Sequence, residues 1–230
     1  MKATAISDLH GHLIKIEPCD LLLIAGDISP VDIQKDYTKM MVWLFKDFRK
    51  WVEETPCEWI IITPGNHDYL FNKICKPFAT TELFGKVKIL VDDEFNYYGS
   101  DDKWYKIYGT PQCKQFGTWP YMPGNINLPN FYKRIPENVD ILITHDSPEI
   151  GYVGNIMEAA DAKYPNGVPA GNNYLKDAIL QKKNKPKFIL SGHIHSGKHE
   201  IEEIEGMKLA NVSLLDESYS VKYEPLTFEL

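Results

Sequence analysis

A chain of 230 residues that is 43% hydrophobic is long enough to bury one sizeable core, and no stretch of it repeats. Its formal net charge of −7 argues against a surface built to grip duplex nucleic acid or an anionic membrane, although a bound cation would escape that count. Four widely spaced cysteines (Cys19, Cys57, Cys75 and Cys113), with no Cys-x-x-Cys pair and no run approaching roughly 18 apolar residues, read as a soluble, cytoplasmic protein with reduced thiols.

Residues 2–7 predict a short strand that runs into Asp8-Leu9-His10-Gly11-His12. The apolar run at 19–24 predicts a strand buried on both faces, ending in Ala25-Gly26-Asp27. From about Asp32 to Glu54 the period changes. Met41, Leu44, Phe45, Phe48, Trp51 and Val52 recur at three- and four-residue steps, the pattern of an amphipathic helix that Pro56 stops. Trp59–Thr63 predicts another buried strand, ending in Pro64-Gly65-Asn66-His67-Asp68. Lys86–Val91 and Trp104–Tyr108 predict further strands. The aperiodic stretch from Thr110 to Pro129, rich in Pro, Gly, Trp and Tyr, predicts a long loop over one face.

Val139–Thr144 is again a buried run and leads to His145-Asp146-Ser147-Pro148. Residues 151–171 read as loop, and Asn172 or Asn173 can cap a helix reaching about Lys183. Phe188–Ser191 predicts a strand. Lys198–Glu205 and Met207–Ser213 answer each other as a hairpin around Gly206, and Ser218–Glu229 alternates as a last strand. Strands alternating with helices predict an α/β layered architecture, and with no linker in view one domain is expected over 1–230.

Each buried run ends in a polar cluster: Asp8 and His10, Asp27, Asn66 and His67, His145, then Gly192-His193-Ile194-His195. Sites in α/β sheets gather outside the carboxyl ends of strands, so these clusters would converge. Six of the seven histidines lie in or beside them; only His199 lies further out. Taken singly, each residue has an ordinary reading: an Asp that caps a turn, an Asn that follows a glycine, a histidine at a strand end. In extended backbone His193 and His195 would point the same way, as two ligands of one ion.

The ordered set Asp8-Leu9-His10, Gly26-Asp27, Gly65-Asn66-His67-Asp68, His145 and Gly192-His193-Ile194-His195 resembles the calcineurin-like metallophosphoesterase family, whose signature is D-x-H, G-D, G-N-H-[D/E], H and G-H-x-H. Tyr108-Gly109-Thr110-Pro111 and Thr144-His145-Asp146-Ser147-Pro148 are similar to the small single-domain branch typified by the brain-expressed metallophosphoesterase-domain proteins. The resemblance implies a two-sheet β-sandwich flanked by helices, in four layers α/β/β/α. It implies two divalent or trivalent metal ions, manganese first, with iron or zinc also suited to carboxylate and imidazole. Asp8, His10 and His195 would hold one ion, Asn66, His145 and His193 the other, with Asp27 bridging. A metal-bridging hydroxide would attack phosphorus in line, and His67 would assist the leaving oxygen without ligating metal. His12 is adjacent and would either contact substrate phosphate or stand in solvent. Asn211 would support the site or serve as a strand-edge residue.

The expected partner is a small-molecule phosphoester, a diester or monoester that includes nucleotides, with neither duplex nucleic acid nor membrane. A nucleotide-pyrophosphate hydrolase shares the chemistry, and the aromatic residues of 116–132 would then stack a base or simply pack the loop. A non-catalytic metal-binding scaffold is the alternative of another class, though such members lose ligands and this chain keeps the set. Family protein phosphatases carry G-D-x-x-D-R-G; here Pro30 stands at the second Asp position and no Arg follows, which argues against that substrate class.

Overall fold

A strand sends successive side chains to opposite faces, and the apolar runs of this chain fill both. A computed structural model describes residues 1–74 and 82–230, and Cys75 lies outside the described residues. One sheet contains β1 (Lys2–Ile6), β2 (Leu21–Ile24), β3 (Trp59–Ile62), β4 (Glu82–Leu83), β5 (Val87–Ile89) and β14 (Leu226–Glu229), in the order β14-β1-β2-β3-β5-β4. The other contains β6 (Asp93–Tyr98), β7 (Trp104–Thr110), β8 (Ile141–Thr144), β11 (Phe188–Ser191), β12 (Glu202–Ile204) and β13 (Met207–Asn211), in the order β12-β13-β11-β8-β7-β6. A short ribbon pairs β9 (Asn155–Ile156) with β10 (Val168–Pro169). The helices are α1 (Tyr37–Trp43), α2 (Arg49–Glu54), α3 (Tyr69–Ile74), α4 (Leu128–Tyr132) and α5 (Asn173–Leu180), with a π-helical turn at Leu44–Phe48 joining α1 to α2.

Alternation produces the layers. Leu22, Ile24, Ile60 and Ile62 face Met40, Leu44, Phe48 and Phe71 on one side. Their neighbours Leu21, Leu23 and Ile61, with Ala3 and Ala5, meet Ile107, Ile141, Ile143 and Leu190 between the sheets. On the far side Leu142, Ile189 and Leu209 pack on Leu128, Tyr132, Leu175 and Ile179. The result is the α/β/β/α order. No helix among the described residues is long and apolar enough to cross a membrane.

Several elements differ from expectation. The helix begins at Tyr37 rather than Asp32, because the Asp36 carboxylate accepts from the Thr38 and Lys39 amides and caps it there. Its buried stripe is Met40, Trp43, Leu44, Phe48, Trp51 and Val52, which leaves Met41 and Phe45 exposed on its flank. The aromatic loop gives way to helix at Leu128, with Pro129 in the first turn where it costs no hydrogen bond. The last strand is four residues, not twelve. Residues 216–220 turn instead, because the Asp216 carboxylate takes the amides of Ser218 and Ser220.

The parallel strands bring their carboxyl ends to one edge. Ile6, Ile24 and Ile62 lie level across β1, β2 and β3, and Thr110 and Thr144 lie level across β7 and β8. A single bridge between Ser7 and Ser213, with the Leu214 amide donating to Ser7 O at 3.0 Å, joins the two sheets at that edge.

Candidate metal centre

The chain turns sharply as it leaves these strands. Asp8 (φ 53°), His10 (43°), Asp27 (54°) and His193 (68°) all adopt left-handed backbone, uncommon outside glycine and concentrated where a site needs it. Two glycines make room for the approach of neighbours. A side chain on Gly26 (φ 101°) would overlap the His145 ring, and one on Gly192 would strike Ser7 and the Asp8 carboxylate.

What converges is a buried cluster of carboxylates and imidazoles. His145 Nε2 lies 3.3 Å from Asp27 Oδ2 and 3.0 Å from Asn66 Oδ1. His10 Nε2 is 3.7 Å and His67 Nε2 4.0 Å from the same Asp27 oxygen. His195 Nε2 stands 3.5 Å from Asp8 Oδ1. Ligand atoms of Asp8, His10 and His195, of His10, Asp27 and His67, and of Asp8, Asp27 and His145 each fall within 4.8 Å of one another.

Two carbonyls fix the rings. A carbonyl only accepts, so His145 Nδ1–H donates to Ala25 O (2.8 Å) and His195 Nδ1–H to Asp216 O (2.9 Å), which turns both Nε2 atoms inward. The His67 amide donates to Asp27 Oδ1 at 2.8 Å, and the His193 amide to Asp8 Oδ2 at 3.0 Å. Asp68 does not reach the His67 ring to orient it. Its carboxylate ties two loops together, accepting from the amides of Gly65 (2.8 Å), Asp27 (2.9 Å), Ile28 (3.1 Å) and Ser29 (3.0 Å) and from Ser29 Oγ (2.7 Å). Asn211 Nδ2 donates to Ile194 O at 2.8 Å and so braces the turn between His193 and His195.

The carboxylates and imidazoles of the cluster set one another's charge. Burial pushes the Asp8 carboxyl up, but the hydrogen bond and charge of His195, then His145 and His10, reverse this and hold it well below the usual range. Asp27 follows the same pattern, with burial opposed first by His145. Burial disfavours a charged His145, yet the Asp27 charge and hydrogen bond, with Asp8 and Ala25 O, raise it to about 10. His195 is raised to about 9, as Asp8 outweighs burial. His10 goes the other way: burial lowers it to about 4 despite Asp27 and Asp8.

His10 supplies the test of fit. It is buried, and neither ring nitrogen has a hydrogen-bond partner among the described residues. An imidazole orphaned on both sides beside two buried carboxylates is costly without something to ligate. Neutral imidazole, carboxylate and amide oxygen are a donor set for hard or borderline cations. The residues therefore fit metal.

Asp8, His10, Asp27, Asn66, His67, His145 and His195 thus share one volume. His193 borders it, its ring 5.0 Å from that of His145 and 5.5 Å from Phe116. His12 falls outside, its side chain exposed and its amide turned back to Leu9 O. The sequence reading missed Tyr219, whose ring lies 4.8 Å from His10 and 5.0 Å from His195. It offered Trp119 only as a base-stacking or loop-packing residue, whereas its ring lies 4.6 Å from that of His67, and it missed the backbone of Asp216. The signal for the turn was there: Asp216 with serines two and four residues on is a turn-capping pattern.

Residues 1–197 match the model of the calcineurin-like phosphoesterase family. Human metallophosphoesterase domain-containing protein 1 is 26% identical over 216 residues, covering 84% of this chain and 60% of that protein. The UPF0046 protein C25E10.12 of Caenorhabditis elegans is 25% identical over 258 residues, covering 100% of this chain and 81% of that protein. The chain thus spans about 60% of the length of the human relative. Among solved structures, phosphopantetheinyl hydrolase (PptH) from Mycobacterium tuberculosis superposes with a TM-score of 0.49 at 14% identity, over 92% of this chain and 88% of that one.

Proposed function

The chain belongs to the calcineurin-like phosphoesterase family, and from that premise we propose that it is a metal-dependent hydrolase of a small phosphodiester or phosphomonoester. The observation that carries the reading is the convergence of Asp8, Asp27 and four imidazoles at one sheet edge, with neither His10 nitrogen hydrogen-bonded among the described residues.

In this reading Asp8, His10 and His195 hold one ion, Asn66, His145 and His193 hold a second, and the Asp27 carboxylate serves both. Manganese is the first expectation, with iron or zinc also compatible with the donor set. When bound, such ions supply Lewis acidity and a water of lowered pKa, chemistry suited to in-line displacement at phosphorus.

The chain's own residues do the rest. The Ala25 and Asp216 carbonyls hold the His145 and His195 rings in the tautomer that turns Nε2 to the centre. The Asp27 carboxylate also anchors the His67 amide, so a residue that would hold metal positions the residue beside it. His67 has its ring held between His10 (4.8 Å, edge-on) and Trp119 (4.6 Å), where its N–H can meet the leaving oxygen of a bound ester. The rings of Tyr219 and Trp119 stand against His10, His195 and His67.

The test is a panel of aryl phosphodiesters and monoesters under manganese, iron and zinc, with His67→Gln alongside. The wild type turns over at least one class once loaded. His67→Gln keeps the wild-type metal content and loses about 10²–10⁴-fold in turnover, the range of a lost acid–base or hydrogen-bonding group. Full activity in the variant removes His67 from the mechanism. No hydrolysis by metal-loaded wild type on any ester leaves a metal-binding scaffold.

A further inference from the structure

A cavity of about 590 Å³ opens beside the metal centre. It is the size of an organic-ligand pocket, and aromatic walls with few convergent polar groups are what such pockets use. Its walls include Tyr69, Trp119, Tyr121 and Phe131. Trp119 belongs to both places, since its ring is 4.6 Å from that of His67 on one side and lines the cavity on the other. Tyr69, two residues beyond His67, is the second shared wall, its ring 6.0 Å from that of Trp119. Trp119 and Tyr69 thus join the cavity to the His67 side of the cluster.

The polar groups of the cavity narrow what it takes. Asp92 and Arg134 both line it, with Arg134 Nη1 4.0 Å from Asp92 Oδ2. The Asp92 side chain is 5% exposed and also accepts from Thr110 Oγ1 (2.7 Å) and Gln112 Nε2 (2.8 Å). The Arg134 guanidinium packs on Phe131, 4.9 Å from the ring centre. Lys35 Nζ also lies over the two shared walls, 5.1 Å from the Trp119 ring centre and 5.6 Å from that of Tyr69. Flat aromatic walls suit a planar group.

We propose that this cavity seats the organic group of the phosphoester and selects a flat aromatic ring, which stacks against Trp119. The proposal rests on the phosphoester reading above and adds the substrate class. It gives the aromatic loop a function beyond packing.

The experiment titrates metal-loaded protein with phenylphosphonate and with methylphosphonate, which carry the same phosphonate group and are not hydrolysed. Phenylphosphonate binds at least about tenfold more tightly, the scale of one aromatic stacking contact. Trp119→Ala brings the two affinities to within about twofold of each other, whereas Trp119→Phe, which keeps a ring, retains most of the preference. Metal content of each variant, measured on the same samples, shows that the centre is intact. Equal binding of both phosphonates to the wild type overturns the assignment while leaving the phosphoester reading in place. If neither phosphonate binds the loaded protein, the phosphoester reading fails first, and this inference with it.

Discussion

The metal cluster and the rim around it are built by opposite rules. Asp8, Asp27, His10, His145 and His195 are buried and follow parallel strands at one edge, and all but His10 are fixed by backbone amides and carbonyls. Trp119, Phe116 and Tyr219 lie on irregular chain, keep part of their surface in water, and meet the cluster through ring contacts at 4.6–5.5 Å. A ligand set must be exact, so it grows from the sheets. A recognition surface can vary, so it grows from loops. The comparison predicts that changes in the cluster abolish function through metal, whereas changes on the rim alter degree.

The largest effect belongs to Asp27, which faces His10, His67 and His145 and anchors the His67 amide. Asp27→Asn should empty or nearly empty the centre and lower turnover by about a thousandfold or more, since several kcal/mol of charge stabilisation go with it. Elemental analysis beside steady-state rates checks this. Normal metal content with normal rates would dissolve the distinction between cluster and rim.

Next in size is the dependence of metal loading on pH. Burial disfavours the charged rings, but the Asp27 and Asp8 carboxylates raise His145 to about 10 and His195 to about 9, so both favour the protonated form near neutrality. Ligation needs the neutral ring, so each must release its proton as the ion enters. Affinity therefore rises with pH from 6 to 8 by up to about a hundredfold per unit, one factor of ten for each proton, and levels off above the higher of the two values. Calorimetric titration in buffers of different ionisation enthalpy counts the protons. A count of zero would contradict the charge arrangement of the cluster.

Asp68 tests the frame that holds the cluster. Burial and the nearby Asp27 charge raise its carboxyl to about 6 against the donors it serves, so it remains ionised at neutral pH. Asp68→Asn keeps the shape but turns an amide group toward backbone N–H groups that need an acceptor. The cost should be about 2–3 kcal/mol, seen as a lower denaturant midpoint, with metal binding weakened in step. An unchanged midpoint would mean the two loops hold their places without it.

How far the sequence could be read follows the same divide. The clusters at strand ends were legible because each strand is a continuous apolar run and each cluster follows it directly, so order along the chain maps onto position along one edge. The four-layer order was implied by the family resemblance, and the alternation of Leu21 and Leu23 against Leu22 and Ile24 explains it. The rim was illegible for a physical reason. Trp119 is more than fifty residues from His67 in sequence and comes beside it only through the course of an aperiodic loop, which no period encodes. Edge strand β6 was missed although Phe95 and Tyr97 alternate with Glu94, Asn96 and Tyr98, because its outer face is polar and the run is weakly apolar. Tyr219 was read into a strand because residues 218–229 do alternate. The capping carboxylate of Asp216 overrode that pattern.

Tyr219 offers the smallest and most local test. Its φ is 62°, a left-handed value that is strained for an aromatic residue. The strain is imposed from outside: the Tyr219 amide donates to Asp216 O, the same carbonyl that receives His195 Nδ1, and Glu217 takes Ser196 N and Oγ at 3.1 and 2.9 Å. The turn is thus fastened to the metal loop, and the ring is delivered over His10 as a consequence. Tyr219→Ala removes the ring and keeps the strain, whereas Tyr219→Gly removes both. The two variants should lose activity equally, by about tenfold or less, as expected of a rim residue that makes one contact. The glycine variant should nevertheless be more stable than the alanine variant by about 1 kcal/mol, because only glycine adopts this backbone without penalty. Thermal melts of the pair, with metal content held equal, measure the difference. Equal stability would mean the backbone relaxes once the ring is gone, and that the ring's contacts with His10 and His195, rather than the turn, hold Tyr219 in place.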